Sequence, residues 1–533
     1  MKTFAAALCA VLATTVVATA QGAPRVTGTV VADFDHGLQF PRNKQNEPSI
    51  ARDSTTGALI AGANDEFSLG LCPGTSTPLA SPCPFTPGAP ISAYYRSTDN
   101  GKSWSGGYLP GFDSIGRLSG GDPSLDIGPR RCADGRTFSW SCGSVVYYGS
   151  LADPFPEFGG EQTTVSRSYN DGATWAAPVA ATTTDNKSDF DDHSWIAVDK
   201  GAGSPFLGRI YVFWADYCNT CAGNGRVKLY VGSSSDEGRT WTKAVQVSGS
   251  AFNAVQGQTE TGQIAVASDG TVEALWTDHA DSKGKYSSTQ VVAVSHDGGA
   301  TFAAPVSIAG VNDYPLSGTP FDAVDLYNRV PGMSARVDCY PHVAADPTSN
   351  RVYAVWCDYT NGVGTIRGAW SDDGSNWTSL GTVGSGFMRN AVFPAVDVSP
   401  KGLLVVGFDA LTAPPAADLW QTGRQVYDYY EVQGGAASFT APLRVSSAAS
   451  NPEASGYNNL QEQFIGDYTD LAAGPSSSYL AWTDASAGAL CSAVSGYRAA
   501  LYGGSTSAVA PNPDSACPVG FGNTDTVVGI VAN

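Results

Sequence analysis

Ser97-Thr98-Asp99-Asn100-Gly101-Lys102-Ser103-Trp104 decides the fold, because the chain writes it again and again. It returns as Ser168-Tyr169-Asn170-Asp171-Gly172-Ala173-Thr174-Trp175 and as Ser234-Ser235-Asp236-Glu237-Gly238-Arg239-Thr240-Trp241. Looser copies are Ser295-His296-Asp297-Gly298-Gly299-Ala300-Thr301-Phe302 and the run from Trp370 to Trp377, with Asp372 and Gly374 in register. An Asp or Asn that bonds its own backbone, followed by a Gly that accepts φ > 0, describes a tight hairpin turn. The closing aromatic fills the gap between hairpins. Five copies at long, fairly regular spacing are an internal repeat, and a repeat outranks other fold signals.

Working outward, a second unit precedes each turn: a short strand, a turn, and a second strand that usually ends in Asp. Copies begin near Pro48, Pro123, Ser194, Gln263, Pro341, Pro394 and Thr469, which makes seven. A third element rich in Pro and Val follows, as in Pro178-Val179, Val245-Gln246-Val247, Pro305-Val306 and Pro442-Leu443-Arg444-Val445. In the sixth unit the turn has decayed to Gly434-Gly435-Ala436-Ala437-Ser438-Phe439. Four strands per unit make one blade, so the expectation is an all-β chain forming a single seven-bladed β-propeller over 21–533. Six blades is the alternative, should the short fifth unit merge with a neighbour. The seventh unit lacks a fourth strand after a strand expected over Tyr497–Tyr502. The β-branched run Val26–Ala32 is expected to supply it and close the ring, with Thr526–Val531 as competitor.

These repeats resemble the Asp-box (BNR) repeat of the sialidase-like β-propellers, over nearly the whole mature chain. The resemblance implies outer-turn clips remote from a ligand site at the central mouth. It also implies retaining hydrolysis by a Tyr nucleophile with a Glu helper, an Asp acid/base and three Arg on the sugar carboxylate. Tyr468-Thr469-Asp470-Leu471 is similar to the family's nucleophile stretch and points to Tyr468. Glu260 falls within a residue or so of the family's Glu. Residues 67–90 contain no Asp or Glu, which leaves Asp65, with Glu66 beside it, for the acid. Asn46, in Gln45-Asn46-Glu47-Pro48, stands where the family has its first Arg, and the second Arg position falls near Asp278 and His279. Arg329-Val330-Pro331 imitates the Arg motif from a loop between units. Loss of the bidentate guanidinium grip argues against sialic acid as the substrate.

Bulk properties bound the setting. Lys2, an apolar run from Phe4 to Val17 and Ala18-Thr19-Ala20 form a secretory signal over 1–20, too short to span a bilayer. Without Cys9 the count of cysteines is even, as in an oxidising compartment. Proximity suggests Cys72–Cys83, Cys132–Cys142, Cys218–Cys221, Cys339–Cys357 and Cys491–Cys517. Asn186 and Asn376 head sequons. A formal charge of −19 argues against nucleic acid and anionic membranes as partners. A secreted, extracellular monomer is expected.

Two rings of side chains carry the chemistry. Asp65, Asp216, Asp278, Asp358, Asp409 and Asp484 end the second strands, with Leu151 breaking the set. They cap turns, or one or two face the mouth, or several hold Ca2+, though no EF-hand-like motif occurs. No other cofactor or metal site is expected, because no His pair has zinc spacing. The first strands begin with polar residues nearer the axis, among them Glu47, Asp122, Asp192, His193, Tyr340 and Arg389. Carboxylates, a His, an Arg and tyrosines at one centre suit an oligosaccharide or polysaccharide. The expected function is a glycoside hydrolase acting on extracellular glycans. A lyase of uronate-containing glycans, with His193 as base, and a non-catalytic glycan-binding propeller are the alternatives. Rim residues differ from unit to unit, which favours one central site over repeated lectin pockets.

Overall fold

The computed structural model describes residues 26–31, 37–83, 90–154, 160–182, 189–218, 226–248, 262–282, 285–315, 328–384, 387, 389–413 and 425–533. The signal segment expected over 1–20, Glu260, Asn186 and Cys221 lie outside them. Seven antiparallel sheets form seven blades of a β-propeller. Their innermost strands are Gln45–Arg52, Arg117–Arg131, Asp189–Val198, Gly262–Val266, His342–Ala345, Ala391–Val398 and Asp470–Ala473, in blades 1 to 7. The second strands are apolar almost throughout, as in Leu59–Asp65 and Leu404–Leu411, because both of their faces pack on neighbouring blades.

The repeated turns have the geometry their sequence predicts. Asp99 accepts the backbone N–H groups of Lys102 and Ser103 at 3.0 Å, and Gly101 donates to Ser97 Oγ at 2.9 Å with φ of 78°. The same bonds recur at Ser168, Ser234 and Ser295. The fifth copy differs in register. Its turn carboxylate is Asp373, which accepts from Ser375 and Asn376, while Asp372 reaches out to Arg351 at 2.7 Å. That turn is one residue shorter between its Ser and its aromatic, and Asp373, two residues after Ser371 as Asp99 is after Ser97, takes the role.

Blade 7 closes the ring with a second difference. Residues 497–502 belong to helix α1 (Ser492–Tyr502), not to a strand. The third strand is Asp525–Ala532, and Thr27–Val30 pairs on its outer side. The two candidate closing segments are therefore neighbours in one blade. Helix α1 buries Val494, Tyr497, Arg498 and Leu501, a helical stripe, against Phe40, Leu460 and Phe521.

Starts of first strands and ends of second strands lie at one end of the ring, as the pairing of Gln45 with Asp65 fixes. The described parts of the long connections, 66–83 and 90–91, 312–315 and 328–341, 446–469, and 485–524, lie at that end and form a roof. Disulfides Cys72–Cys83 and Cys491–Cys517 staple the roof, and Cys132–Cys142 and Cys339–Cys357 lie within blade 2 and at blade 5. Arg498, fully buried, donates to the carbonyls of Leu460, Glu453, Ser455 and Glu462. Arg329 pairs with Glu462 there, which gives the Arg329-Val330-Pro331 stretch a place in the roof. No helix among the described residues is long and apolar enough to cross a membrane.

Candidate functional site

Four innermost strands carry a bulge at the same level: between Asn46 and Ser49, Gly121 and Ser124, Asp192 and Trp195, and Val392 and Ala395. Each holds a residue with positive φ: Glu47 (54°), Asp122 (52°), His193 (45°) and Phe393 (48°). Left-handed backbone at a residue with a Cβ costs about 1–2 kcal/mol, and bulges re-aim side chains. Register places Tyr340 and Tyr468 at the equivalent level of blades 5 and 7. Strain repeated at one height of the ring marks the mouth as the place where side chains are being positioned.

The side chains meet as a chain of carboxyl groups. Asp122 hydrogen-bonds both Glu47 and Asp192. Burial, reinforced by Asp122, pushes the acids of Glu47 and Asp192 well above the carboxylate range, and Arg336 offsets only part of this. A bond between two carboxyl groups needs a proton in it, so the raised values and the geometry describe one condition. Asn64 sits at the joint. Its amide donates to Glu47 Oε2 at 2.6 Å and to Asn46 Oδ1 at 3.0 Å, and its oxygen accepts from the Asp122 N–H at 2.8 Å. The Asp467 N–H donates to Glu47 Oε1 at 3.1 Å.

Around this chain stands an aromatic wall. The His193 ring lies 4.7 Å from Tyr340, 5.1 Å from Tyr468 and 5.9 Å from Trp195. Tyr340 donates its hydroxyl to the Asp467 carbonyl at 3.2 Å, so His193 Nε2, 3.0 Å from that oxygen, is its donor. Burial lowers the His193 pKa and keeps the ring neutral. The backbone N–H of His193 donates to Asp192 at 2.9 Å and Asp122 at 3.2 Å. Tyr468, 2% exposed, donates to the Pro123 carbonyl at 3.4 Å. Burial and then the charges of Asp122 and Glu47 hold its phenol far above 10. Asp467 receives Arg336 in a two-pronged pair, with Nε 2.8 Å from Oδ1, and the guanidinium lies over Phe464 (5.0 Å) and Tyr457 (5.4 Å). A second acid pair, Asp153 and Glu161, lies close enough for Glu161 to feel Asp192 and Asp122. Asp122, Asp192, His193, Arg336 and Asp467 remain partly exposed, so the cluster is open to solvent.

The structure thus brings together Glu47, Asp122, Asp192, His193, Tyr340 and Tyr468. Asp65 points away from the cluster: it caps the 3-10 turn Glu66–Ser68 and accepts from Tyr95 (2.7 Å), Phe67 N (3.1 Å) and Tyr108 (3.2 Å). Asp278 has the same register in blade 4, where burial raises its pKa to about 6. Arg389 lies over the Phe387 ring at 5.3 Å and bonds Tyr430 on the third strand, outward from the axis. No group of three or more side chains suited to a metal ion occurs among the described residues. Asn64, Asp153, Glu161 and Arg336 are additions to the sequence reading, whereas Asp467 belongs to the polar starts of the first strands. Period-two alternation would have found Asn64, since neighbours on a strand face opposite sides. Nothing local marks Arg336.

No family model matches the chain, and no curated protein matches it. Among solved structures the chain is similar to an α-L-arabinofuranosidase of Fusarium graminearum in complex with an iminosugar inhibitor. That match has 14% identity, covers 79% of this chain and 98% of that one, and has a TM-score of 0.40. A Penicillium chrysogenum α-L-arabinanase complexed with arabinobiose matches at 16% identity over 72% and 93%, with a TM-score of 0.40. A leech intramolecular trans-sialidase matches at 13% over 71% and 66%, with a TM-score of 0.38. No residue role follows from likenesses this distant.

Proposed function

We propose that the mouth cleaves a glycosidic bond, with its carboxyl chain as the acid–base apparatus. The observation that carries this is the hydrogen-bonded series Glu47–Asp122–Asp192, strained into place and walled by His193, Tyr340 and Tyr468. Glycoside hydrolysis needs one carboxyl that still holds a proton and a second that does not. Asp192 fits the first role, since it keeps its proton and is partly exposed. Asp467, gripped by Arg336, fits the second, as base for water or as the charge that faces the developing oxocarbenium ion. The partly exposed His193 ring, backed by Tyr340 and Tyr468, offers a surface for a sugar ring. Neutral His193 orients Tyr340 and, through its N–H, the Asp192 carboxyl.

Attack by Tyr468, with Glu260 as its base and Asp65 as acid, is the reading the repeat resemblance favours. The two schemes part at Asp192→Asn and Tyr468→Phe. A panel of polysaccharides and aryl glycosides, with products read by mass, tests the proposal. Hydrolysis lost ~10²–10⁴-fold in Asp192→Asn but kept in Tyr468→Phe supports the carboxyl scheme, and the reverse pattern supports the tyrosine scheme. An unsaturated product would identify a lyase, and binding without turnover a lectin-like propeller. The secreted, monomeric state is part of this proposal and is read by size and by export of the full chain.

A further inference from the structure

We propose that the sugar seated in the mouth carries a free amine, so that the ligand class is a glycan with unacetylated amino sugars. This rests on the mouth being a glycan site and names what it selects. Six carboxyl side chains, those of Glu47, Asp122, Asp153, Glu161, Asp192 and Asp467, gather at the mouth, each within electrostatic reach of others in the set. The cations near them are already committed. Arg336 is taken by both oxygens of Asp467. Arg117 donates to the carbonyls of Ala152 at 2.7 Å and Gly160 at 2.8 Å. An acidic sugar would therefore meet carboxyl groups and no open guanidinium fork. An ammonium group would supply the missing positive charge, with several acceptor oxygens within reach of its three donors. The protons held on Glu47, Asp192 and Glu161 show how poorly the protein itself neutralises this cluster. The buried Asn46 amide nitrogen, with no partner among the described residues, leaves a donor beside Glu47 for a hydroxyl of the same sugar.

The test is calorimetry of the full mature chain with three matched probes at low salt: oligomers of glucosamine and galactosamine, their N-acetylated counterparts, and oligogalacturonate. The amine-bearing probes should bind at least about tenfold more tightly than the acetylated ones, the worth of a charge-assisted hydrogen bond. The oligogalacturonate should not bind. Because the whole chain is acidic, the preference must also be local. It should vanish in Asp122→Asn and in Asp153→Asn, each checked for a native circular dichroism spectrum, and persist in Asp113→Asn on the exposed surface. Equal binding of amine and N-acetyl probes, no binding of any amine-bearing probe, or a preference that survives both mouth variants overturns the inference. Tight amine-dependent binding without turnover would leave it standing and remove hydrolysis. Turnover of neutral glycans without amine preference would do the opposite.

Discussion

Glu273 offers a quantitative check on how this acidic chain balances its charges. It lies on the second strand of blade 4, 1% exposed, and neither carboxyl oxygen has a partner among the described residues. Burial, then the charges of Asp373 and Asp269, raises its pKa from 4.5 to about 8. A group whose folded pKa is raised binds its proton more tightly in the native state. The contribution of Glu273 to stability is therefore greatest below pH 4.5 and falls as pH rises towards 8. At ~1.4 kcal/mol for each pH unit, holding that proton at pH 7 costs about 3 kcal/mol. Glu273→Gln keeps the shape and removes the titration, while its unpaired amide costs about 1–2 kcal/mol. The variant should be the less stable protein at pH 5 and the more stable one at pH 7.5. Urea unfolding at the two pH values should show the difference between variant and parent moving by about 3 kcal/mol. A difference that does not move with pH would refute the reasoning and require a counter-charge at Glu273.

Three further outcomes bear on the mouth. Asn64→Leu removes the amide that joins Glu47, Asn46 and the Asp122 backbone, so kcat should fall ~10²-fold or more while glycan binding weakens less. Steady-state kinetics beside a thermal melt separates this from unfolding. Arg336→Met deletes the charge that lowers the acids of Glu47 and Asp192, so the alkaline limb of the pH–rate profile should move up by about one pH unit. A downward move or none would contradict the assigned electrostatics. Tyr468→Phe loses only a long bond to the Pro123 carbonyl, and urea titration should find it within about 1 kcal/mol of the parent.

The blades were legible because their signal is local. Ser97, Asp99 and Gly101 act within five residues of one another, and the turn they specify recurs. Where that signal shortens, as between Ser371 and Trp377, the sequence reading slips by one residue, to Asp372 instead of Asp373. Val494, Tyr497, Arg498 and Leu501 have helical spacing, a local signal that the four-strand pattern of the other blades masks. The mouth was half legible for a related reason. Glu47, Asp122 and His193 stand at matched positions of the repeat, so repetition exposes them. Arg336 meets Asp467 across 131 residues of chain, and only the roof's folding makes them partners. Asn64 and Asp65 are adjacent, and the acidic residue carries the stronger sequence signal although the amide faces the cluster.

The closure of blade 7 has a kinetic consequence. Thr27 pairs with Ile530 and Val30 with Val527, so the blade is complete only when segments about 500 residues apart have met. Joining a flexible chain over that length costs about 5–6 kcal/mol in entropy, all of it before the new contacts form. Until then the faces that pack Ile50, Ala61, Tyr479 and Val528 on one side, and Val405, Tyr429 and Trp482 on the other, stay wet. Synthesis from the N-terminus therefore produces six blades that cannot seal, a slow and aggregation-exposed interval that a holding chaperone would shorten. Once sealed, the same arithmetic runs the other way. No blade can peel away without parting two distant strands at once, so a protease meets a ring that opens rarely rather than an edge that frays.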